Sequence, residues 1–287
     1  MLTAVQHMAP ESVIPLSIAA GRYHIDVSTL DAQKGDPMRR RWLFMSILAA
    51  VMVCRAGVAY PQTADDIVEK HLAATGGRAA LEKVTSRVMT GTISVSTPVG
   101  DLSGSIEVYN KAPNKSRTLI KIDASQVGAG QIVQDQRFNG TSGYTLDTLN
   151  GNRELTGDQL ELARANTFPS PLLKYKDTGS TLELIGREQV GERDAFVLRL
   201  SPKTGRSARM FIDTQTYLLL KTVMTIAVPQ IGGDVEQTIV VSDYRDVDGV
   251  KVAYQIRSLN QLQTVSITAT KVEQNTPIDD QMFAKPE

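Results

Sequence analysis

The sequence predicts a mainly β protein with a few helices (α+β): a curved antiparallel sheet forming an incomplete β-barrel, covered by N-terminal and central helices. Three observations carry that expectation. From Ser86 almost to the C-terminus, apolar residues alternate with polar ones at a period of two. The alternating runs are joined by short links rich in Gly, Pro, Asn and Asp, which makes successive strands antiparallel neighbours in a meander. The runs number about twelve, and an open, strongly twisted sheet of that many strands tends to curl.

The first ordered element lies well inside the chain. Residues 38–59 read MRRRWLFMSILAAVMVCRAGVA. Arg39, Arg40 and Arg41 form a basic start, 43–53 is an apolar run of eleven residues, and Gly57 and Ala59 put small residues at the −3 and −1 positions of a cleavage site. This is the pattern of a secretory signal peptide cleaved after Ala59, its apolar run too short to span a bilayer comfortably. A core helix is the poorer reading, because three consecutive arginines rarely precede one. Cys54 is not a lipidation site, since Val53 before it is too large. Arg40-Arg41 leaves a twin-arginine export route open beside the general one. Met38 directly precedes the arginines, so residues 1–37 are expected to be a disordered extension upstream of the true start. The expected location is the periplasm, with 60–287 as a single domain.

Thr63 is placed to N-cap a helix, with Asp65 and Asp66 in the first turn, where the helix dipole favours negative charge. Ile67, His71, Leu72 and Thr75 follow at helical spacing, and Gly76-Gly77 ends the helix. A shorter helix over 78–84 buries Ala79, Leu81 and Val84. The period then changes. Met89, Gly91, Ile93 and Val95 share one face, and after a turn at 98–101 so do Leu102, Gly104, Ile106 and Val108, which makes a hairpin with one apolar face. A third strand covers 117–123, and Asn139-Gly140 turns 132–138 into 143–148.

The rhythm breaks in the middle. Thr156-Gly157-Asp158 opens a helix carrying Leu160, Leu162 and Ala165. The two prolines of Phe168-Pro169-Ser170-Pro171-Leu172-Leu173 exclude a central strand or a long helix, leaving a short helix or loop laid across something else. Strands resume over 181–190, 195–201, 206–213, 217–226, 235–245, 251–259 and 263–272. The links between them include Gly191-Glu192-Arg193-Asp194 and Asp248-Gly249, and Val265, Ile267 and Ala269 alternate cleanly in the last strand.

Composition narrows the function. The chain has 287 residues, 41% hydrophobic and 22% charged, which fits a folded protein and not a disordered one. Basic and acidic residues both number 31, so no strong field favours nucleic acid. Without the six basic and four acidic residues of 1–59, 25 basic and 27 acidic remain, a net charge of −2. Cys54 is the only cysteine, and the histidines are His7, His24 and His71, so a zinc cluster, a disulfide framework and a histidine metal site are out of reach.

Catalytic templates fail in turn. The segment 127–133 has two glycines of a dinucleotide loop but lacks the third and a following helix. There is no Walker sequence and no Gly-x-Ser-x-Gly elbow. His71, the sole mature histidine, has no nucleophile motif nearby and reads as a structural residue. Placing Gly249 at the sixth position of a calcium loop puts Tyr244 at the first and Gln255 at the twelfth, where acids are needed. Asp65-Asp66 is a helix start and Asp279-Asp280 an exposed tail. No enzyme activity and no cofactor is expected.

What remains is an apolar sheet face with too few helices to cover it. It is either plain core or the lining of a cavity open to an apolar ligand. By alternation, the lining candidates are Met89, Ile93, Val95, Leu102, Ile106, Val108, Met210, Ile212, Met224, Val265 and Ile267. The candidates for a mobile cover are Leu160, Leu162, Phe168, Leu172 and Leu173.

Several segments resemble a known family. They are 64–70 with Gly76-Gly77, the pair 208–213 and 217–221, the run 242–251 (SDYRDVDGVK), and the tail 276–283 (TPIDDQMF). In this order, over roughly 64–285, they resemble the bacterial outer-membrane lipoprotein-sorting proteins, the LolA/LolB-like superfamily. The resemblance implies an incomplete antiparallel barrel with a helical lid, holding acyl chains of lipoproteins or other lipids without catalysis. It implies a periplasmic carrier whose partner is a lipid or lipoprotein acyl chain; a monomer is expected, with an envelope protein as a possible further partner. One departure is that the mature chain lacks tryptophan, whereas the family's carriers line their cavity with aromatics. None of the family's functional residues maps onto a matched motif. The alternative is a non-catalytic envelope protein with a closed core, acting as an interaction or accessory module.

Overall fold

The computed structural model describes residues 62–98, 100–228 and 233–286. The signal peptide, its cleavage at Ala59 and the 1–37 extension lie outside the described residues. Helix α1 (Ala64–Ala74) opens on a capping box in which Thr63 and Asp66 each bond the other's backbone N–H. Helix α2 (Arg78–Glu82) follows. Strands β1 (Ser86–Thr97), β2 (Gly100–Lys111), β3 (Lys115–Asp123), β4 (Gln131–Phe138), β5 (Gly143–Asp147) and β6 (Arg153–Glu154) form a first meander. Helix α3 (Gly157–Ala165) and an irregular stretch lead to β7 (Thr181–Val190), β8 (Arg193–Ser201), β9 (Ala208–Asp213), β10 (Leu219–Val228), β11 (Gly233–Val247), β12 (Val250–Leu259) and β13 (Thr264–Gln274).

All thirteen strands belong to one sheet, in the order β6-β5-β4-β3-β2-β1-β13-β12-β11-β10-β9-β8-β7. Each of the twelve ladders among the described residues is antiparallel, as the short links require. The edges β6 and β7 do not pair with each other, so the sheet is not closed into a barrel. The chain runs out to one edge, crosses through α3 to the other, and returns until β13 pairs with β1.

The pairing corrects several sequence expectations. β6 makes a thirteenth strand, too short to alternate, and it forms because Arg153 and Glu154 extend the ladder of Thr145 and Tyr144. Arg193 and Asp194 belong to β8 and not to a turn, since Gly191 at φ 62 lets a two-residue link carry the pairing through to Val190 and Arg193. β10 starts at Leu219 and not at 217, because Asp213 accepts from Gln215 N and Thr216 N and holds a turn there. α2 stops at Glu82, before Val84. Asp279 and Asp280 are exposed, as expected, but are held in an ordered turn. Asp279 caps a 3₁₀ turn (Asp280–Phe283) whose Phe283 is buried, and Asp280 pairs with Lys111 and Lys115 at 2.8 and 2.6 Å.

α1 lays Ile67, Val68 and Leu72 into a core shared with Leu81, Phe196 and Leu198. His71 is 7% exposed, and its Nδ1 lies 2.8 Å from the carbonyl oxygen of Tyr217, so Nδ1 carries the proton. Burial holds its pKa below the ordinary 6.5, although that hydrogen bond works the other way. The unfolded chain therefore takes up a proton at this site before the folded one does. Its contribution to stability is complete above the unfolded pKa and declines as pH falls through about 6.5 toward the depressed folded value. Thermal melts should show the melting temperature falling between about pH 7 and 5.5, ahead of carboxylate titration. His71→Gln should flatten that step, and an unchanged slope would mean that another group produces it.

Candidate functional site

In an antiparallel ladder, directly opposed residues point to the same face. Ile93 opposes Ile267 and Gly104, Val95 opposes Val265 and Leu102, and Met89 opposes Val108, so these lining candidates share one face of β13, β1 and β2. Ile106 faces Gly91 and Ile120 on the same side. Ile93, Ile106 and Ile122 are buried as one cluster, with Val95, Leu102, Val108, Val265 and Ile267 half-buried around it. Val108 and Ile267 also pack against the main core, so the apolar face is continuous.

The other candidates stand across the sheet. Met210 opposes Leu198, Ile212 opposes Phe196, and Met224 opposes Ala208. Met89, Met210 and Ile212 are packed into the main core with α1, α2, Leu172 and Leu173. Met224 is half-buried and borders open space. The cover candidates divide in the same way. Leu172 and Leu173 are core residues, Phe168 is half-buried against that core, Leu160 is half-buried, and Leu162 is 47% exposed.

α3 is tied to both halves of the sheet. On one side, Arg164 Nη2 donates to the carbonyl of Thr141 at 3.1 Å and Phe168 N to that of Pro113 at 2.7 Å, in the β4–β5 and β2–β3 turns. On the other, Arg206 bridges Asp158 of α3 and Asp234 of β11, both at 2.6 Å, and Glu161 accepts from Thr204 at 2.5 Å. Thr204 and Arg164 hold the Glu161 carboxyl below its ordinary range, and Arg206 does the same for Asp234. Beneath α3 lies a pocket of about 230 Å³ bordered by Gln136, Leu162, Ala165, Ala208, Met224 and Ile226.

The same face carries polar residues that alternation within single strands does not bring together. Thr118, Gln136 and Thr145 stand in register with Met89 and Val108, and Arg87, Asn110 and Ser116 form the next row. Arg87 was legible in principle, since it precedes Met89 by two residues. The other rows exist only through cross-strand register. Among the described residues, no group of three or more His, Cys, Asp or Glu side chains could hold a metal ion.

No protein-family model matches the sequence, and no curated protein matches it. Solved structures do. A LolA superfamily protein from Nitrosomonas europaea matches with a TM-score of 0.52 at 14% identity, over 78% of this chain and 99% of that one. A DUF1329 family protein from Desulfovibrio piger matches with a TM-score of 0.51 at 14% identity, over 78% of this chain and 98% of that one. At this identity the likeness is one of fold, and the chain has a LolA-like fold.

Proposed function

We propose that this protein is a periplasmic carrier of lipid or lipoprotein acyl chains, exported by the signal peptide at 38–59, which shelters its cargo on the inner face of an incomplete barrel covered by its helices. The observation that carries the reading is the pocket beneath α3, which Gln136 of β4 and Met224 of β10 border together. These strands are seven places apart in the sheet order. In a flat sheet that is about 34 Å, too far for one such pocket, which supports a sheet curled around its apolar face. The LolA-like fold supports the same reading.

The inner face is not uniformly free. Over β8 and β9 it is filled by the protein's own side chains, so the cargo lies beneath α3 and against the half-buried Val95, Leu102 and Val265 that rim the Ile93–Ile106–Ile122 cluster. α3 is fastened mainly by solvent-exposed ion pairs, each contributing about 0–1 kcal/mol, so it opens cheaply while Leu172 and Leu173 stay anchored. Each methylene taken from water contributes about 0.8 kcal/mol. Ten of them supply about 8 kcal/mol, which corresponds to roughly micromolar binding.

Native mass spectrometry of protein extracted gently from envelopes should find bound lipid. Recovery of empty protein that also takes up no added fatty acid would sink the carrier reading. Arg206→Ala removes the bridge between Asp158 of α3 and Asp234 of β11 and should speed release of a bound fluorescent fatty acid by about twofold to tenfold, in proportion to the roughly 0.5–1.4 kcal/mol that two exposed ion pairs contribute.

A second reading, a non-catalytic envelope module binding a protein partner, is favoured by one observation: Leu172, Leu198 and Ile212 are each 0% exposed, so that part of the face has no room for a ligand. Leu162→Asp separates the two readings. Carriage predicts lost lipid uptake, and the module predicts unchanged uptake with weakened capture of the partner. Leu172→Asp is unsuitable, because a carboxylate at a fully buried core position unfolds the protein.

A further inference from the structure

Arg87 is a charged feature of the inner face that neither core packing nor the carriage of a bare hydrocarbon explains. It stands on β1, two residues before Met89 and on the same face, with Gln274 of β13 and Asn110 of β2 directly opposite. Among the described residues its guanidinium has no hydrogen bond and no ion pair, and its Nε is buried without a partner. Its neighbour there is the ring of Phe168, 5.3 Å from the guanidinium carbon. Gln274 donates from Nε2 to the carbonyl of Val247 at 2.8 Å, yet its own Oε1 is buried and unbonded. Arg87 is half-buried, and burial lowers its pKa to about 10, so the group stays charged at neutral pH with no carboxylate among the described residues bonded to it. Buried polar atoms are normally satisfied, and a partly desolvated charge without a partner costs stability.

We propose that Arg87 anchors the oxyanion head group of an amphiphile, with Phe168 closing over the pair and Gln274 Oε1 accepting from a hydroxyl where the head group carries one. The inference rests on the carrier reading and deepens it by naming the ligand class, a single- or multi-chain lipid with a carboxylate or phosphate head. Guanidinium pairs with both through short, charge-assisted bonds. The geometry suits such a ligand. Arg87 and Ile93 are six residues apart on β1, about 20 Å along the strand, so a charged end and an apolar cluster are set at the two ends of one path. Phe168 belongs to the stretch after α3, so movement of α3 would uncover Arg87 and the apolar path together.

The test compares dodecanoate, dodecyl phosphate and neutral methyl dodecanoate by calorimetry on the mature protein. Wild type should bind both anions at least about tenfold more tightly than the ester. Arg87→Leu should erase that difference while leaving ester affinity unchanged, and Arg87→Lys should restore part of it. The leucine variant should melt close to wild type, because it removes a half-buried charge that bonds nothing within the described residues. Should it fail to fold, Arg87→Gln provides the same comparison. Equal binding of all three ligands by wild type, or a preference that survives in Arg87→Leu, overturns the inference and leaves the carrier reading standing. Failure of all three to bind removes the carrier reading itself. Millimolar inorganic phosphate should not displace dodecanoate, and displacement would mean a site for free anions, which also overturns the assignment.

Discussion

Gly104→Val is expected to abolish folding, while valine at the neighbouring exposed Ser103 is expected to be tolerated. A Cβ at Gly104 would stand 1.9 Å from the carbonyl oxygen of Lys121 and 2.8 Å from the Cα of Ile122 on β3. Both contacts are with backbone, which cannot rotate away as a side chain could. Gly104 has no left-handed φ to protect, so the requirement is space alone. Gly91, beside it on β1, is the same case, with a Cβ falling 2.3 Å from the carbonyl oxygen of Thr268 on β13. Two glycines on one face of adjacent strands, each overlain by the next strand, mark where the sheet bends over its inner side. The clash should cost more than about 4 kcal/mol, an exceptional loss for one substitution. Soluble yield and circular dichroism would report it. A Gly104→Val protein that melts within a few degrees of wild type would show that the sheet does not bend there.

The second large effect is expected at Asp135. This buried carboxylate accepts from Arg117 Nε and Nη2 at 2.8 and 2.7 Å and from Arg137 Nη2 at 2.7 Å. Arg137 Nη1 also reaches the carbonyl of Ala284 at 3.3 Å, and Arg117 Nη1 reaches the Met282 sulfur at 3.4 Å, so the same cluster docks the C-terminal turn. Asp135→Ala leaves two arginines without a counter-charge and should cost about 3–5 kcal/mol, or roughly 10 °C in Tm. Burial by itself would raise the Asp135 pKa, but the bonds from Arg117 and Arg137 prevail and hold it below the ordinary carboxylate value. Its stabilisation is therefore present above the unfolded pKa and lost as pH falls through the depressed folded one. The difference in stability between wild type and Asp135→Asn should shrink as the pH drops below about 4. A gap that stays constant into strong acid would mean that the charge on Asp135 does not hold the cluster.

These two residues also mark how far the sequence could be read. The inner-face position of Gly104 follows from its place between Leu102 and Ile106, but the bend that forbids a side chain there depends on how β3 crosses over it. Asp135 sits in a strand whose alternation is legible, yet its partners come from β3 and from its own strand, and the turn they dock lies at the far end of the chain. In sequence Leu172 reads as part of a cover because two prolines break the segment before it. Its burial depends on α1 and β8, which arrive from elsewhere in the sequence.

Residues adjacent in the chain settled what needs only adjacency. The period of two set the strands and their apolar parity. Thr63 with Asp66 set the start of α1, and Asp248-Gly249, at φ 52 and 81, set a tight hairpin. Tertiary structure alone decided that β1 pairs with β13 some 180 residues away, and that β4 and β10 border one pocket beneath α3. The first of these places Arg87 beside Gln274, and the fold of the chain after α3 lays Phe168 over it. Local preference is encoded in consecutive side chains, whereas a partner across the sheet is chosen by packing summed over the whole molecule against the entropy of closing long loops.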